Sequence, residues 1–546
     1  MTPPEWDEAV RFLTAAVALR PTSQACLNNL GNTLHRKGRI DEAIACCRKA
    51  LELDPMYAGI HVNLGAALRA KGQLDEAIAS YRKALELDPK FPLAHDSLGT
   101  LLKENGQFDE AVVSRRRAIQ VDPNNAEAHY RLGNSLKDSG RVDEAISSFR
   151  KAIELDPKYA KAHSNLGAAL HGKDQLDEAI ASYRKAIEFD PRNAVTHSNL
   201  GVALNDKGQL DEAIACHRRA IEVDPKYTGA YNNLGVTLKD KGRVDEAIAS
   251  YRKAIELDPK YAAAHVNLGT ALKDKGRLDE AIACHRRAIE VDPRNATAHC
   301  ELGDDLKVKG RNDEAIACYR RAIELDPKYA AAYCNLGHAL KDRGRFADSL
   351  AALRRGHELG TKQPDWIYPS AAWVRQAERL AVLEGKLPAF LKGEFRPRDT
   401  SERLGLADVC GAKRLHYTAT RLFADAFAAD PKLADDLKEQ HRYNAACFAS
   451  LAAAGQGEDV AQLDDKERTR LRKQAVDWLR ADLGLRTKQL KSGQLADRTA
   501  AQQALRHWQQ DNDLAGLRDK AALAKLPAED RTACEKLWAE VAALLK

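Results

Sequence analysis

The sequence predicts an all-α fold of the α-solenoid type, in which short helix pairs stack one after another. Ten prolines from Pro21 to Pro327, nine of them in Asp-Pro pairs, follow one another at intervals of 34 residues. Ten glycines from Gly31 to Gly337 keep the same interval. Charged residues make up 30% and aromatic residues 6% of the chain, which is typical of a long helical assembly. A period of this length indicates repeats that each fold as one supersecondary unit and pack on their neighbours.

Residues 260–293, with the sequence KYAAAHVNLGTALKDKGRLDEAIACHRRAIEVDP, show the repeat unit most clearly. Counting from Ala262 as position 1, apolar or packing residues at positions 4, 7, 8 and 11 predict a first helix with one buried face. Gly276 ends that helix, and Asp279-Glu280 place negative charge in the first turn of a second helix. The closing Asp-Pro pair ends the second helix. Neither helix can bury its apolar stripe alone, so the units must stack.

The unit resembles the tetratricopeptide repeat in its Leu-Gly at positions 7–8, small residue at 20, aromatic at 24, Ala at 27 and Pro at 32. The resemblance covers ten repeats, residues 24–363, and implies a right-handed superhelix that binds other proteins. Position 4 is often a large aromatic residue in that family. Here it is mostly histidine, namely His61, His95, His129, His163, His197, His265 and His299.

The flanking regions follow the repeat less strictly. Residues 1–23 match the second helix of an incomplete repeat or an N-terminal cap, and residues 364–400 form an irregular joint. Residues 401–546 predict a degenerate, repeat-like helical region and a C-terminal cap. This last region also resembles the C-terminal part of planctomycete-type bacterial Ser/Thr kinases that carry tetratricopeptide arrays. An alternative to a free-standing scaffold is therefore a regulatory or substrate-docking portion of a larger enzyme whose catalytic domain is not in this chain.

Composition and motifs argue against several classes of function. The net charge is only +6 and basic residues alternate with acidic ones, so we expect no nucleic-acid partner. No apolar run is long enough to predict a membrane span. Eleven cysteines without a CxxC pair suit a reduced, intracellular protein, which we expect to be cytoplasmic. The resemblance to bacterial kinases implies that the protein is bacterial. Phosphate loops and kinase signatures are missing from the sequence, so we expect no enzyme activity and no cofactor.

The position-4 histidines suggest a metal site as one interpretation. Packed helices lie about 8–10 Å apart, whereas zinc binds its nitrogen ligands at about 2.0–2.1 Å. One histidine per repeat therefore cannot surround a metal ion. The favoured interpretation is that these side chains pack between the helices, and no metal site is predicted.

Asparagine recurs at position 6, although it is a poor helix former. Positions 2, 6, 9 and 13 form a second stripe, which lines the concave side in the tetratricopeptide fold, and a similar asparagine ladder occurs in the superhelix of O-linked N-acetylglucosamine transferase. Carboxamides can donate to and accept from peptide backbone, so we predict binding of extended polypeptide segments. The alternative is that asparagine is simply common at this position in the family, was copied when the repeats duplicated, and has no role in binding. The candidate peptide-binding residues are Asn29, Asn63, Asn165, Asn199, Asn233, Asn267 and Asn335.

The predicted function is thus a non-catalytic scaffold that binds protein or peptide segments in its concave groove. Self-association through the open ends of the solenoid is a further expectation. The family's clamp for a C-terminal carboxylate is not favoured, because position 5 carries no lysine in any of the ten repeats.

Overall fold

The computed structural model describes residues 3–492 and 494–545. The described residues form helices, turns and loops, and no strand occurs among them. The chain divides into two compact units, residues 1–271 and 272–546. The all-α, tandem-helix fold class predicted from the sequence is confirmed, whereas the predicted domain boundaries remain a prediction.

Unit 1 is a series of antiparallel helix pairs that follow the 34-residue period. In chain order its helices are α1 (Pro3–Leu19), α2 (Gln24–Arg36), α3 (Ile40–Leu53), α4 (Ala58–Lys71), α5 (Leu74–Leu87), α6 (Pro92–Glu104), α7 (Phe108–Val121), α8 (Ala126–Asp138), α9 (Val142–Leu155), α10 (Ala160–His171), α11 (Leu176–Phe189), α12 (Ala194–Asp206), α13 (Leu210–Val223), α14 (Thr228–Asp240), α15 (Val244–Leu257) and α16 (Ala262–Asp274), whose last residues belong to unit 2. From α2 onward, even-numbered helices are first helices and odd-numbered helices are second helices.

The glycine at position 8 of each repeat lets the two helices of a pair approach closely. In the repeat formed by α14 and α15, a Cβ atom on Gly235 would lie 2.5 Å from the ring of Tyr251 at position 24. The Tyr251 side chain is 1% exposed, because its ring packs directly on the backbone of the first helix. Small residues at position 20, such as Ala247, are completely buried in the same contact. This packing explains why Leu-Gly, a small residue and an aromatic residue recur together.

The turn between the two helices of a repeat needs a left-handed backbone at position 15. Glycine occupies it in most repeats, for example Gly242 with a φ angle of 79°. In the repeat formed by α10 and α11 the glycine comes two positions early, and Asp174 takes the left-handed conformation with a φ angle of 60°. Aspartate tolerates this region better than most residues, so the repeat keeps its length.

The N-terminal segment forms a helix, as the sequence predicts, and α1 packs against α2. Val10 is buried there, with Leu13 and Val17 partly buried beside the same core. Phe12 is 70% exposed on the opposite side of the helix. Only one face of α1 therefore takes part in the core of unit 1.

Unit 2 continues the period and then becomes irregular. Its helices are α17 (Leu278–Val291), α18 (Ala296–Val308), α19 (Asn312–Leu325), α20 (Ala330–Asp342), α21 (Phe346–Gly360), α22 (Ser370–Leu391), α23 (Thr400–Ala412), α24 (His416–Ala429), α25 (Lys432–Asp435), α26 (His441–Ala453), α27 (Asp465–Lys491), α28 (Leu495–Gln510), a 3₁₀ turn (Asn512–Leu514), α29 (Ala515–Arg518), α30 (Lys520–Leu523) and α31 (Ala528–Leu544).

The C-terminal helices of unit 2 share a core of their own. Trp508 is 1% exposed and stacks on Tyr443 with ring centroids 5.5 Å apart and planes 10° apart. Leu479, Leu505 and Leu537 are completely buried in the same cluster. The amphipathic helices predicted for this part of the chain therefore pack against one another, whereas their role as a C-terminal cap stays a prediction.

Candidate functional site

The first helices of unit 1 share one surface that combines polar and small apolar side chains, which we call the first-helix face. It consists of the side chains at positions 2, 6, 9 and 13 of α2, α4, α6, α8, α10, α12 and α14, and all of them are half-buried or exposed. Neighbouring first helices such as α2 and α4, or α12 and α14, contact each other directly, and neighbouring second helices do so less closely. The first helices are thus on the inner side of the curvature within unit 1, where a groove is expected.

The asparagines of unit 1 do more on this face than the sequence analysis anticipated, because four of them join adjacent repeats. Asn63 Nδ2 donates to Asn28 Oδ1 at 2.8 Å, and Asn267 Nδ2 donates to Asn232 Oδ1 at 2.9 Å. Asn233 Nδ2 donates to Ser198 Oγ at 3.2 Å. In each case the acceptor is position 5 of the preceding repeat. The carboxamide nitrogen therefore supports the stacking of first helices.

Asn165 makes the same kind of contact with two partners. Its Nδ2 donates to Asn134 Oδ1 at 2.7 Å and to the Tyr130 hydroxyl oxygen at 3.3 Å, both on the preceding first helix. Asn335 lies in unit 2 and donates to Asp304 Oδ1 at 2.9 Å. Five of the seven predicted residues thus have a structural role for their N–H₂ group, which the repeat period alone could not reveal.

The carboxamide oxygens are oriented differently from the nitrogens. Among the described residues, no donor contacts Oδ1 of Asn63, Asn165 or Asn267. The side chains of Asn29 and Asn199 make no hydrogen bond to any described residue, and Asn29 is exposed. The first-helix face therefore carries a row of carbonyl oxygens that can accept hydrogen bonds from a ligand's N–H groups.

The row of asparagines is interrupted in unit 1 at Ser97 and Arg131, and charged side chains replace it there. Arg131 forms ion pairs with Glu127 and with Asp96, and Glu127 also accepts a hydrogen bond from the Tyr159 hydroxyl. These contacts bridge α6 and α8. This part of the face thus has a chemistry different from that of the carboxamide row.

Arg115, at the core position 24 of the same region, is a residue that the sequence analysis missed. It is 5% exposed, and its Nη2 donates to Thr100 Oγ1 at 3.2 Å. Burial lowers the pKa of this guanidinium. The sequence did contain a sign of this residue's unusual environment. Apart from two histidines, Arg115 is the only residue with an ionisable basic side chain at position 24 of the ten repeats.

Unit 2 has an acidic group where the ladder contains Glu301 instead of asparagine. Lys273 Nζ lies 2.8 Å from Glu301 Oε2, and His285 Nδ1 lies 2.7 Å from Asp305 Oδ2 with both side chains completely buried. The Asp304 carboxylate accepts hydrogen bonds from Tyr319 and Asn335, and burial raises its pKa. In this pair, position 24 of one repeat meets position 10 of the next repeat inside the core.

The position-4 histidines have a shared structural role. In all seven, Nε2 lies within hydrogen-bond distance of the backbone carbonyl of the proline six residues earlier, as in His95 to Pro89 at 2.9 Å and His163 to Pro157 at 3.0 Å. The ring therefore fastens the Asp-Pro turn to the following first helix. The other five contacts are His61 to Pro55, His129 to Pro123, His197 to Pro191, His265 to Pro259 and His299 to Pro293, at 3.0–3.3 Å.

One group in unit 2 brings potential metal ligands together. Sγ of Cys447 and carboxylate oxygens of Asp511 and Asp513 lie within 4.8 Å of one another. The Tyr443 hydroxyl and the Cys447 thiol both lie against the Asp511 carboxylate, which holds the group together through hydrogen bonding. Burial raises the pKa of the Cys447 thiol well above its usual range, so the protonated form is favoured.

Charged residues on and beside the face are joined in pairs between repeats. Arg82 pairs with Glu110 at 2.7 Å across second helices, and Lys103 at position 12 pairs with Asp138 of the next first helix at 2.7 Å. Such exposed pairs contribute at most about 1 kcal/mol each, but they absorb much of the basic charge. Within the described part of the chain, no helix combines the length and apolar character that crossing a bilayer requires.

The comparisons with known families match most of the repeat array. The Cilia and flagella-associated protein 70 C-terminal domain matches residues 91–324. A TPR repeat model matches residues 65–106, and Tetratricopeptide repeat models match residues 25–57, 46–79 and 300–364. No match to a curated protein was found.

Several solved structures resemble about a third of the chain. The MamA protein has 30% identity and a TM-score of 0.30, with 32% of this chain and 94% of MamA covered. YrrB, described as a TPR protein with an unusual peptide-binding site, has 27% identity and a TM-score of 0.29, covering 34% of this chain and 95% of YrrB. PilF of Pseudomonas aeruginosa has 23% identity and a TM-score of 0.33, covering 37% of this chain and 92% of PilF. Since four tetratricopeptide matches coincide with the observed 34-residue helix pairs, this chain is a tetratricopeptide repeat protein.

Proposed function

We propose that the protein is a non-catalytic scaffold that binds extended polypeptide segments on the first-helix face of unit 1. The observation that carries this proposal is that the carboxamide oxygens of Asn63, Asn165 and Asn267 receive no hydrogen bond from the described residues. Their nitrogens are held by the preceding repeat, so the oxygens are fixed in direction before a ligand arrives. A fixed acceptor loses little conformational entropy on binding.

The spacing of the repeats suits an extended ligand. Packed helices lie about 8–10 Å apart, and a polyproline-II-like segment advances about 9 Å in three residues. Successive asparagines can therefore accept from every third backbone N–H of such a segment. Because the carboxamides would bind the ligand's backbone, binding along the carboxamide row should depend only weakly on the ligand's sequence.

The experiment is to replace Asn165, Asn199, Asn233 and Asn267 together by alanine and to measure binding by fluorescence polarisation. The probe is a fluorescent pool of random octapeptides with acetylated and amidated ends. Each lost hydrogen bond costs about 0.5–1.5 kcal/mol, so the variant should bind the pool at least about thirtyfold more weakly. The same peptides with N-methylated backbones should bind poorly to the unaltered protein.

Two controls separate binding from folding. Replacing Glu188, Glu222 and Glu256, which are exposed on second helices, by alanine should leave binding unchanged. The double variant Asn29→Ala, Asn199→Ala removes side chains that make no hydrogen bond to the described residues, so it should weaken binding without lowering the melting temperature. Unchanged binding in the quadruple variant, or tight binding of the N-methylated pool, would contradict the proposal.

A further inference from the structure

The C-terminal core of unit 2 contains buried carboxylates, and two of them are each paired with an arginine. Arg472 Nε lies 2.9 Å from Asp530 Oδ2, and Arg486 Nε lies 2.9 Å from Asp482 Oδ2, with all four side chains mostly buried. A carboxylate removed from water is costly unless a cation or hydrogen-bond donors compensate its charge. These two pairs satisfy that requirement within the chain.

Asp511 and Asp513 border the same core without such a pair. Among the described residues, no lysine or arginine forms an ion pair with either carboxylate. Arg518 Nη1 donates to the backbone carbonyl oxygen of Asp511 at 2.7 Å, and not to its carboxylate. Carboxylate oxygens of Asp511 and Asp513 lie within 4.8 Å of each other. Two like charges this close repel each other, so the place favours a bound cation.

Cys447 on α26 and His507 on α28 add ligands of two other types. Cys447 Sγ lies 4.0 Å and His507 Nε2 lies 3.5 Å from Asp511 Oδ2. Thiolate sulfur, imidazole nitrogen and carboxylate oxygen are the ligand atoms of zinc in proteins, at about 2.0–2.3 Å. In a tetrahedral site such bonds place the ligand atoms about 3.3–3.8 Å apart. The two observed distances therefore lie close to those that a zinc site requires.

The carboxylate of Asp511, at the centre of this group, is held in direction by its neighbours. Its Oδ1 accepts a hydrogen bond from the backbone N–H of Asp513 at 2.9 Å, and the Tyr443 hydroxyl donates to its Oδ2. Tyr443 is fixed in turn by stacking on Trp508. Carboxylates that bind metals usually accept such outer hydrogen bonds, which orient them. The group thus has supporting contacts in addition to candidate ligands.

The group is open to solvent on one side. Cys447 lies at its buried end, whereas Asp513 is exposed and the His507 side chain is 63% exposed. An ion can therefore enter past His507 and Asp513 and reach the sulfur. Because the imidazole stands at the open side, rotation of its side chain can bring Nε2 onto the ion.

We propose that one zinc ion binds between α26 and the end of α28, with four ligands: Cys447, His507, Asp511 and Asp513. Four protein ligands are typical of a structural zinc site. On binding, the thiol proton of Cys447 passes to solvent and a sulfur electron pair forms the bond to zinc. The imidazole binds through the lone pair of Nε2 and keeps its proton on Nδ1. The ion offsets the repulsion between the two aspartates and ties α26 to the turn after α28.

The sequence alone gives no sign of this site. Zinc motifs usually contain pairs of cysteine or histidine at short spacing, whereas Cys447 lies 64 residues before Asp511. The thiol approaches the other ligands because α26 packs against the 3₁₀ turn that follows α28. The site is in unit 2 and does not depend on peptide binding by the first-helix face of unit 1.

The test uses the full, untagged chain after treatment with a chelator, with its thiols kept reduced. Co²⁺ is the probe, because tetrahedral cobalt absorbs visible light and a bound thiolate adds a near-ultraviolet charge-transfer band. One equivalent of Co²⁺ should produce both absorptions, and one equivalent of Zn²⁺ should remove them. Zn²⁺ should also raise the melting temperature, since it binds the folded chain. Mg²⁺ should have neither effect, because it prefers oxygen ligands.

Variants of the ligands decide which residues hold the ion. Cys447→Ser should lose the charge-transfer band. The matched control Cys534→Ser changes another buried thiol of the same core and should keep both absorptions. Asp513→Asn and His507→Gln change exposed side chains, so the fold should persist in both. Each should weaken Zn²⁺ binding at least about tenfold, since the loss of even an outer partner of a metal costs that much.

Several results would overturn the proposal. One is the absence of a charge-transfer band in the reduced, unaltered protein. Another is a band that persists in Cys447→Ser or that disappears equally in Cys534→Ser. Equal affinity for Zn²⁺ and Mg²⁺, or unchanged Zn²⁺ affinity in both Asp513→Asn and His507→Gln, would show an adventitious ion only, held by surface carboxylates. None of these results bears on the proposed peptide binding, which is measured separately.

Discussion

His217 should make unit 1 sensitive to mild acid. The ring is completely buried at position 24, its Nδ1 lies 3.5 Å from Ser198 Oγ, and its Nε2 has no hydrogen-bond partner among the described residues. Burial lowers the pKa of this imidazole to about 4, compared with about 6.5 in an unfolded chain. The folded protein therefore holds the neutral ring across the pH range in which the unfolded chain takes up a proton.

The sign and size of the effect follow from proton linkage. The stability contribution of the neutral ring is complete above pH 6.5 and is lost as the pH falls from 6.5 to about 4. Each unit of pKa difference corresponds to about 1.4 kcal/mol. The loss should thus reach about 2 kcal/mol at pH 5 and about 3 kcal/mol at pH 4, with no further change below that pH.

The perturbation that isolates this contribution is His217→Phe, because phenylalanine keeps the ring over Gly201 and cannot titrate. Carboxylates also titrate in acid, so the quantity to compare is the difference in free energy of unfolding between variant and unaltered protein. This difference should grow by about 2 kcal/mol between pH 7.5 and pH 5. Hydrogen exchange in α12 and α13 measures it locally, since repeats of a solenoid open individually.

Tyr251→Phe is the matched control, because it changes the same position of the next repeat and removes no group that titrates below pH 7. Its stability difference from the unaltered protein should be the same at pH 7.5 and pH 5. A difference for His217→Phe that stays constant over this range would refute the reasoning. It would mean that the ring is protonated in the fold or is reached by water.

Two further predictions concern packing and the thiols. Gly235→Ala should lower the free energy of unfolding by about 1–3 kcal/mol, as overpacking does, because the new Cβ would lie 2.5 Å from the Tyr251 ring. Urea unfolding should show that Gly235→Ala costs less stability in a protein that also carries Tyr251→Leu. Equal losses with and without Tyr251→Leu would rule out this contact as the cause. Burial raises the pKa of Cys47 and of Cys300 to about 12, so a thiol reagent at pH 8 should modify the native protein slowly. Reduction should leave the melting temperature unchanged. Rapid modification of most thiols without denaturant would contradict this second prediction.

Much of the fold could be predicted because the information is local and repeated. The 34-residue period, the Leu-Gly pair and the aromatic residue at position 24 each predict a contact that recurs in every unit. The structure confirms this in contacts such as Gly235 with Tyr251. The histidines at position 4 were predicted to pack, and the packing partner proved to be the carbonyl of the preceding proline.

The sequence by itself therefore determined the helix pairs, their stacking and the position of the polar stripe, since these depend on periodicity and burial. Only the tertiary structure decided where each polar group finds a partner. Asn267 donates to Asn232, 35 residues earlier, and Arg115 Nε is buried without a hydrogen-bond partner among the described residues. Buried hydrogen bonds depend on distances of a few tenths of an ångström between different repeats, and a repeat pattern carries no record of such distances.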